Sequence, residues 1–347
     1  MTALQPTSKG ILGILLILLS LLYGLAVRAR LFLYGAGILP TVKVDGIQVI
    51  SIGNLSVGGT GKTPVTIRVA KMIGEKCAVV SRGYGRRSNE PVQVVADGAN
   101  ILADYPSAAD EALLCAMELK NVPVICAPRR TDGIRAAKER FGARTVILDD
   151  AFSHLAAHRD KNILLVDALD PFGGGHLLPA GKLREPLSSA KRAEAVIITR
   201  ANHVPPGRLD DIRELIAPLL RTGTPVFPCD IAPDGILAPS GERLAAREFL
   251  RGKSVRLLSG IASPWQFEES VTELGAKVLS HDRFADHHPY TGGEIAQIAS
   301  QVREGEPLIT TQKDLVRIPK NARGAFHTLA ISAKIREAEA FREFLTS

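Results

Sequence analysis

Ser56-Val57-Gly58-Gly59-Thr60-Gly61-Lys62-Thr63-Pro64 follows closely on the apolar run Gln48-Val49-Ile50-Ser51-Ile52. A short strand, a glycine-rich turn and a Lys-Thr pair opening a helix form the arrangement in which backbone N–H groups wrap a triphosphate. The lysine then reaches the β- and γ-phosphates, and the threonine hydroxyl holds Mg²⁺. Ser56 stands where the strict pattern G-x-x-x-x-G-K-[ST] has its first glycine, but Gly58, Gly59 and Gly61 suit closely spaced amides. An ordinary glycine-rich turn is the bland alternative, and such turns rarely end in Gly-Lys-Thr. The stretch therefore predicts a nucleoside triphosphate site built from Ser56, Val57, Gly58, Gly59, Thr60, Gly61, Lys62 and Thr63.

Upstream, residues 11–27 read ILGILLILLSLLYGLAV without a charge, about the minimum length for a helix across a bilayer core. Lys9 precedes the run, and Arg28 and Arg30 follow it. A cleaved signal peptide fits the length, with Gly24-Leu25-Ala26 as a passable cleavage site, but cleavage would carry an ATP site out of the cytosol. A buried core helix would show a polar face, and this one has only Ser20, Tyr23 and glycines to offer. The run reads as a membrane anchor. Full span and monotopic insertion both remain open, because Leu31-Phe32-Leu33-Tyr34 continues the apolar character past the arginines.

Downstream, short apolar runs alternate with helical patterns. Strands are expected over 77–81, 92–96, 122–127, 145–150, 162–167, 195–200 and 225–231, with amphipathic helices over 108–120 and 131–141 among them. This alternation predicts an α/β fold, a mainly parallel P-loop-type sheet with helices on both faces. Ala232-Pro233-Asp234-Gly235 and Pro239-Ser240-Gly241 suggest a break, after which a second βα series begins. The expected organisation is a membrane anchor over 1–40, a P-loop kinase domain over 41–231, and a smaller α/β domain over 232–347 that closes a cleft. A formal net charge of +7 suits an anionic substrate or membrane face,. Nucleic acid is disfavoured, because aromatics are only 5% of residues and no finger or RNP-like pattern occurs,. Cys77, Cys115, Cys126 and Cys229 form no C-x-x-C pair and read as buried thiols of a reducing compartment,.

Ligands in parallel sheets gather at the carboxyl ends of strands. Asp149-Asp150 ends a buried run, where a P-loop protein places a Mg²⁺-associated acid, although Asp after a strand is also a common helix cap. Asp110-Glu111 opens a helix, an ordinary place for acids. Ser81-Arg82-Gly83-Tyr84-Gly85-Arg86-Arg87 is a basic loop after a strand. Asp286-His287-His288 fits a metal or acid–base site, though a histidine pair is more often structural.

Taken in order, Gly53-Asn54 with the phosphate loop, Ser81-Arg82-Gly83-Tyr84-Gly85, Asp110-Glu111, Leu148-Asp149-Asp150, Leu178-Pro179-Ala180-Gly181-Lys182-Leu183-Arg184-Glu185-Pro186-Leu187, Gly260-Ile261-Ala262-Ser263-Pro264, Asp286-His287-His288 and Thr310-Thr311-Gln312-Lys313-Asp314 resemble the tetraacyldisaccharide 4'-kinases of lipid A synthesis. The resemblance includes the N-terminal helix and covers about residues 11–317. It implies ATP- and Mg²⁺-dependent phosphorylation of the 4'-hydroxyl of a tetraacylated glucosamine disaccharide 1-phosphate. The implied place is the cytoplasmic face of a Gram-negative inner membrane, with membrane lipids as partners and no nucleic acid. By the same resemblance Asp110 is the base and His287 its partner, and Thr63, Glu111, Asp149 and Asp150 serve the metal. Arg184 is the leading acceptor ligand, with Arg129 and Arg130 behind it.

Asp149-Asp150-Ala151-Phe152-Ser153-His154 departs from the family's D-D-G-[LF]-Q-H at a Gly and a Gln. Ala151 is expected to close off positive φ, and Ser153 to fall short of the reach of an amide. Ala109 and Ala112 replace a Gly and a Pro beside the two acids. The competing functional class is a membrane-tethered nucleotide hydrolase acting as a switch. GTP is disfavoured, since Thr311-Gln312-Lys313-Asp314 has the letters of [NT]-K-x-D in the wrong order.

Overall fold

The computed structural model describes residues 10–347; Lys9 and the rest of the extreme N-terminus of the expected anchor lie outside them. In chain order, α1 (Ile11–Gly35) is followed by β1 (Gln48–Gly53), α2 (Lys62–Ile73), β2 (Cys77–Ser81), β3 (Gln93–Ala96), α3 (Asp110–Glu118), β4 (Val124–Cys126), α4 (Arg130–Phe141), β5 (Thr145–Asp149), β6 (Lys161–Asp167) and β7 (Ala195–Thr199). Then come α5 (Pro206–Ile216), β8 (Val226–Leu237), β9 (Arg243–Leu244), α6 (Ala246–Leu250), β10 (Ser254–Ser259), α7 (Pro264–Glu273), β11 (Lys277–Arg283) and α8 (Gly292–Ala299). The chain ends with β12 (Leu308–Thr311), α9 (Gln312–Arg317), β13 (Phe326–Ile335) and α10 (Ala338–Thr346).

All the strands join one sheet, in the order β11-β10-β12-β13-β8-β7-β6-β1-β5-β2-β4-β3, with β9 paired to β8. Its pairs are parallel except β3–β4, β8–β9 and β8–β13. The central strands β1, β2, β5, β6 and β7 are buried almost throughout, which is why they read as continuous apolar runs rather than alternating ones.

The break expected at residues 232–235 lies inside β8. That strand runs parallel to β7 over its first residues and antiparallel to β13 over the rest. The Pro-Asp-Gly signal produces a bulge instead of a turn: Ala330 pairs with Gly235 and Ile331 with Pro233, leaving Asp234 between them. A proline without an N–H is tolerated at such an irregularity. The true turn is Pro239-Ser240-Gly241, closed by Ala238 N–H to Glu242 O at 2.8 Å. The second half keeps its own apolar clusters around Leu257 and Leu258. Its last strand and helix nevertheless return to the first half, where Phe341 meets Phe227 edge-on at 5.1 Å within the main core.

Helix α1 lies along the body of the protein. Gly13, Ser20, Gly24 and Val27 form its buried face. A Cβ on Gly24 would come within 2.8 Å of Leu177 Cδ1, so the helix packs closely on that side chain. Ser20 Oγ donates to Leu177 O at 2.9 Å, Tyr23 Oη to Arg184 O at 2.9 Å, and Arg30 to Ser153 O at 3.0 Å. The opposite face carries Leu12, Ile14, Leu15, Leu18, Leu21, Leu22 and Leu25 in the open.

Candidate active site

Four chain segments meet around the phosphate loop. The loop leaves β1 at Gly53, where a Cβ would fall 2.7 Å from the Phe152 backbone nitrogen. Gly58 and Gly61 take φ of 114° and 79°, values that side chains resist. Gly61 caps α2, so that Lys62 and Thr63 open the helix. The Lys62 ammonium folds back over the loop, 3.2 Å from Gly58 O and 3.3 Å from Asn54 Oδ1. From the other side, Thr199 Oγ1 donates to Thr60 O at 2.9 Å and Arg200 to Gly59 O at 3.1 Å, while the Arg200 fork grips Asp167. Asp167, Thr199 and Arg200 were given no role by the sequence reading, and Asn54 none beyond its place in the loop motif. Their position at or just after strand ends was the available signal.

Asp149 ends β5, buried, with Oδ1 accepting from Thr66 Oγ1 of α2 at 2.8 Å. Burial pushes its carboxyl up, and the charges of Glu111 and Asp150 push the same way. Such an undercompensated acid, within the field of Glu111, fits a divalent cation. No three His, Cys, Asp or Glu side chains converge into a cage among the described residues. Mg²⁺ needs none, since it takes one or two carboxylates and fills its shell with phosphate oxygens and water.

Asp150 and Arg184, expected at the metal and at the acceptor, are bound to each other. Arg184 donates to Asp150 Oδ1 at 2.7 Å and Oδ2 at 3.0 Å, and also to Asn54 O at 2.8 Å and Oδ1 at 2.7 Å. Burial raises the Asp150 carboxyl, but these hydrogen bonds and the Lys62 charge outweigh it and hold the group below the usual carboxylate range. Asp150 is thus paired with a guanidinium and Arg184 with a carboxylate in this arrangement. Arg184 ties the strand-end acid to the phosphate loop. Replacing it with lysine keeps the charge but not the fork, and should weaken ATP binding about tenfold, or about 1.4 kcal/mol. Nucleotide titration checks this, and unchanged ATP affinity would contradict the clamp.

Arg130 is likewise internal. It is buried, donates to Ala127 O at 3.1 Å, and is pulled down to about 10 by desolvation. Arg129 is exposed at the start of α4 with no side-chain cap bond. Ala151 does not take a positive φ; the positive φ here, 46°, belongs to Asp150. Ser153 offers its backbone O to Arg30 at 3.0 Å.

The two halves meet at Asp110. Its Oδ2 lies 2.7 Å from His287 Nδ1, and its Oδ1 accepts the Glu111 N–H at 2.9 Å. Burial raises the Asp110 carboxyl, but the His287 hydrogen bond and the charges of His287, Lys313 and Arg317 overcome it and leave the group below its ordinary value. The same hydrogen bond raises His287. His287 sits at φ 60°, its N–H bound to Gly260 O at 3.1 Å. A histidine held in left-handed backbone is thus hydrogen-bonded to a buried acid from the other half of the chain. Lys313, 3.4 Å from Glu111, and Arg317, 3.7 Å from Asp110, complete the seam.

A phosphate loop, a desolvated strand-end acid and a buried Asp–His pair define a P-loop phosphotransferase. The family model described as tetraacyldisaccharide-1-P 4'-kinase (LpxK) matches residues 12–347. The tetraacyldisaccharide 4'-kinase of Desulfatibacillum aliphaticivorans is 39% identical, covering 98% of this chain and 94% of the relative. That of Anaeromyxobacter sp. (strain K) is 40% identical over 84% and 78% of the two chains. Among solved structures, LpxK from Aquifex aeolicus in complex with ATP superposes with a TM-score of 0.81, at 31% identity over 97% of this chain and 99% of that one. The chain belongs to the tetraacyldisaccharide 4'-kinase family.

Proposed function

We propose that the chain phosphorylates the 4'-hydroxyl of a tetraacylated glucosamine disaccharide 1-phosphate from ATP, with Asp110 as base and His287 as its partner. The 2.7 Å bond between a buried carboxylate and a histidine of the other half carries this reading. A sugar hydroxyl is a poor nucleophile until a base takes its proton as the new P–O bond forms. Asp110 accepts that proton, the hydroxyl oxygen bonds to the γ-phosphorus, and the bond to the β–γ bridging oxygen breaks with its electron pair leaving on ADP. His287 orients the carboxylate and shares the proton's charge. Lys62 and the loop amides bind the phosphates. Thr63, Glu111 and Asp149 would hold Mg²⁺, which supplies charge to the phosphate oxygens. Mass spectrometry of the lipid product, with fragmentation locating the added phosphate on the distal sugar, tests the reading; an acceptor recovered unmodified contradicts it.

The exposed leucine face of α1 supports membrane residence at the cytoplasmic side of the inner membrane, with the helix embedded along the surface rather than leaving the body,. A positive field lies nearby, where burial and the charges of Arg130, Arg159, Arg30 and Arg82 push His154 down to about 4. That field suits an anionic lipid headgroup. Deleting residues before about Val42 should release the protein from membranes and raise the apparent KM for the lipid acceptor about tenfold or more, with ATP KM little changed. Sedimentation with vesicles and paired KM measurements check this. A truncated protein that still pellets and keeps its lipid KM places the anchor elsewhere.

A further inference from the structure

We propose that Lys313 is a second cation of the phosphoryl-transfer site, brought by the second half of the chain to bind the transferring phosphoryl group opposite Lys62. The inference rests on the kinase reading above. Lys313 belongs to Thr310-Thr311-Gln312-Lys313-Asp314, a motif to which the chemistry so far gives no task.

Its neighbours in α9 are spent on holding the helix. Asp314, wholly buried, accepts the Gly260 N–H at 2.8 Å, the Tyr290 hydroxyl at 2.7 Å and Arg317 at 2.8 Å. Arg317 also donates to Gly260 O at 2.8 Å. Gln312 reaches Glu118 at the far end of α3 at 2.5 Å and accepts the Ile331 N–H at 2.9 Å. These contacts fix α9 against α3 without help from Lys313. The Lys313 side chain remains one-third exposed at the cleft, and its one hydrogen-bond acceptor among the described residues is Glu111, at 3.4 Å. An ammonium has three N–H donors, so most of its capacity is unused. Desolvation works against its charge, but Glu111, Asp110 and Asp286 overcome this and raise its pKa.

The position follows from the reaction's geometry. Lys62 stands on the donor side, within the loop, and Asp110 on the acceptor side. The phosphoryl group must pass between them, and its charge spreads over three equatorial oxygens as it does so. Lys313 lies beside Asp110 and Glu111, on the acceptor flank that Lys62 does not cover. Donors fixed where charge develops act on the transition state more than on bound ATP. Lys313 changes no protonation state in this step; it donates N–H groups to the phosphoryl oxygens.

The test uses full-length enzyme with ATP and the tetraacyl disaccharide 1-phosphate. Lys313→Met, similar in length and uncharged, should lower kcat about 100-fold with KM for ATP within about threefold and the melting temperature unchanged. Lys313→Arg should recover part of the loss, and methylammonium should partly rescue Lys313→Ala, which a mere tie between the halves would not allow. Gln312→Ala, which cuts the tie at the other end of α3, should retain kcat. A Lys313→Met enzyme with ordinary kcat, or a loss reproduced by Gln312→Ala without amine rescue, overturns the assignment. A wild-type enzyme that leaves the lipid unphosphorylated overturns the kinase reading instead, so the two failures are distinguishable.

Discussion

Replacing Lys62 with alanine should leave a folded protein whose phosphoryl transfer is slower by about 100- to 1,000-fold, the cost of losing one preorganised charge from a transition state. Thr63→Ala should fall in the same range through loss of a metal-facing hydroxyl. The structure explains why the fold survives. Among the described residues the Lys62 ammonium hydrogen-bonds Gly58 O and Asn54 Oδ1, while the loop is held independently by Thr199, Arg200 and Arg184. Single-turnover kinetics beside a melting curve separate catalysis from stability. Variants that melt normally and turn over at near the wild-type rate would remove the nucleotide site from this loop.

Asp110→Asn and His287→Ala should each lower kcat about 100-fold or more while leaving KM for ATP nearly unchanged, because neither side chain is built into the phosphate loop. Their losses should be non-additive: once one member of a hydrogen-bonded unit is gone, the other has little left to contribute. The pH profile adds an independent check. Burial alone would push the Asp110 carboxyl up, and His287 is the first influence opposing it. Removing His287 should therefore move the acid limb of kcat/KM to higher pH, since more of Asp110 is protonated at any given pH. A structural His287 would instead lower the melting temperature and leave the profile in place. Fully additive losses would contradict the coupled unit.

The parallel core was legible because strands buried on both faces announce themselves as apolar runs: β1, β2, β5, β6 and β7 lie within a residue of their expected limits. The strand expected to end at 231 continues to Leu237 for a physical reason. Pro233 and Gly235 interrupt hydrogen bonding in a turn and in a bulge alike, and only the pairing partner, β13, decides between them. Single residues with one plausible chemistry, such as Lys62 and Asp110, could be read from their motifs. Arg184 could not be resolved in that way, because a guanidinium beside Asp150 satisfies the same letters as one that faces a lipid phosphate. The seam made by Gln312, Lys313, Asp314 and Arg317 was equally hidden, since contacts such as Lys313–Glu111 span about 200 positions and no local pattern encodes them.

The most direct measurement is the fate of the γ-phosphate. Purified enzyme is given γ-labelled ATP and the tetraacyl disaccharide 1-phosphate in detergent, and label is counted in the lipid and in inorganic phosphate. The account predicts label in the lipid, dependent on acceptor and abolished by Asp110→Asn. Label released only to water, at a rate indifferent to acceptor and to Asp110, would contradict it and point to a nucleotide hydrolase.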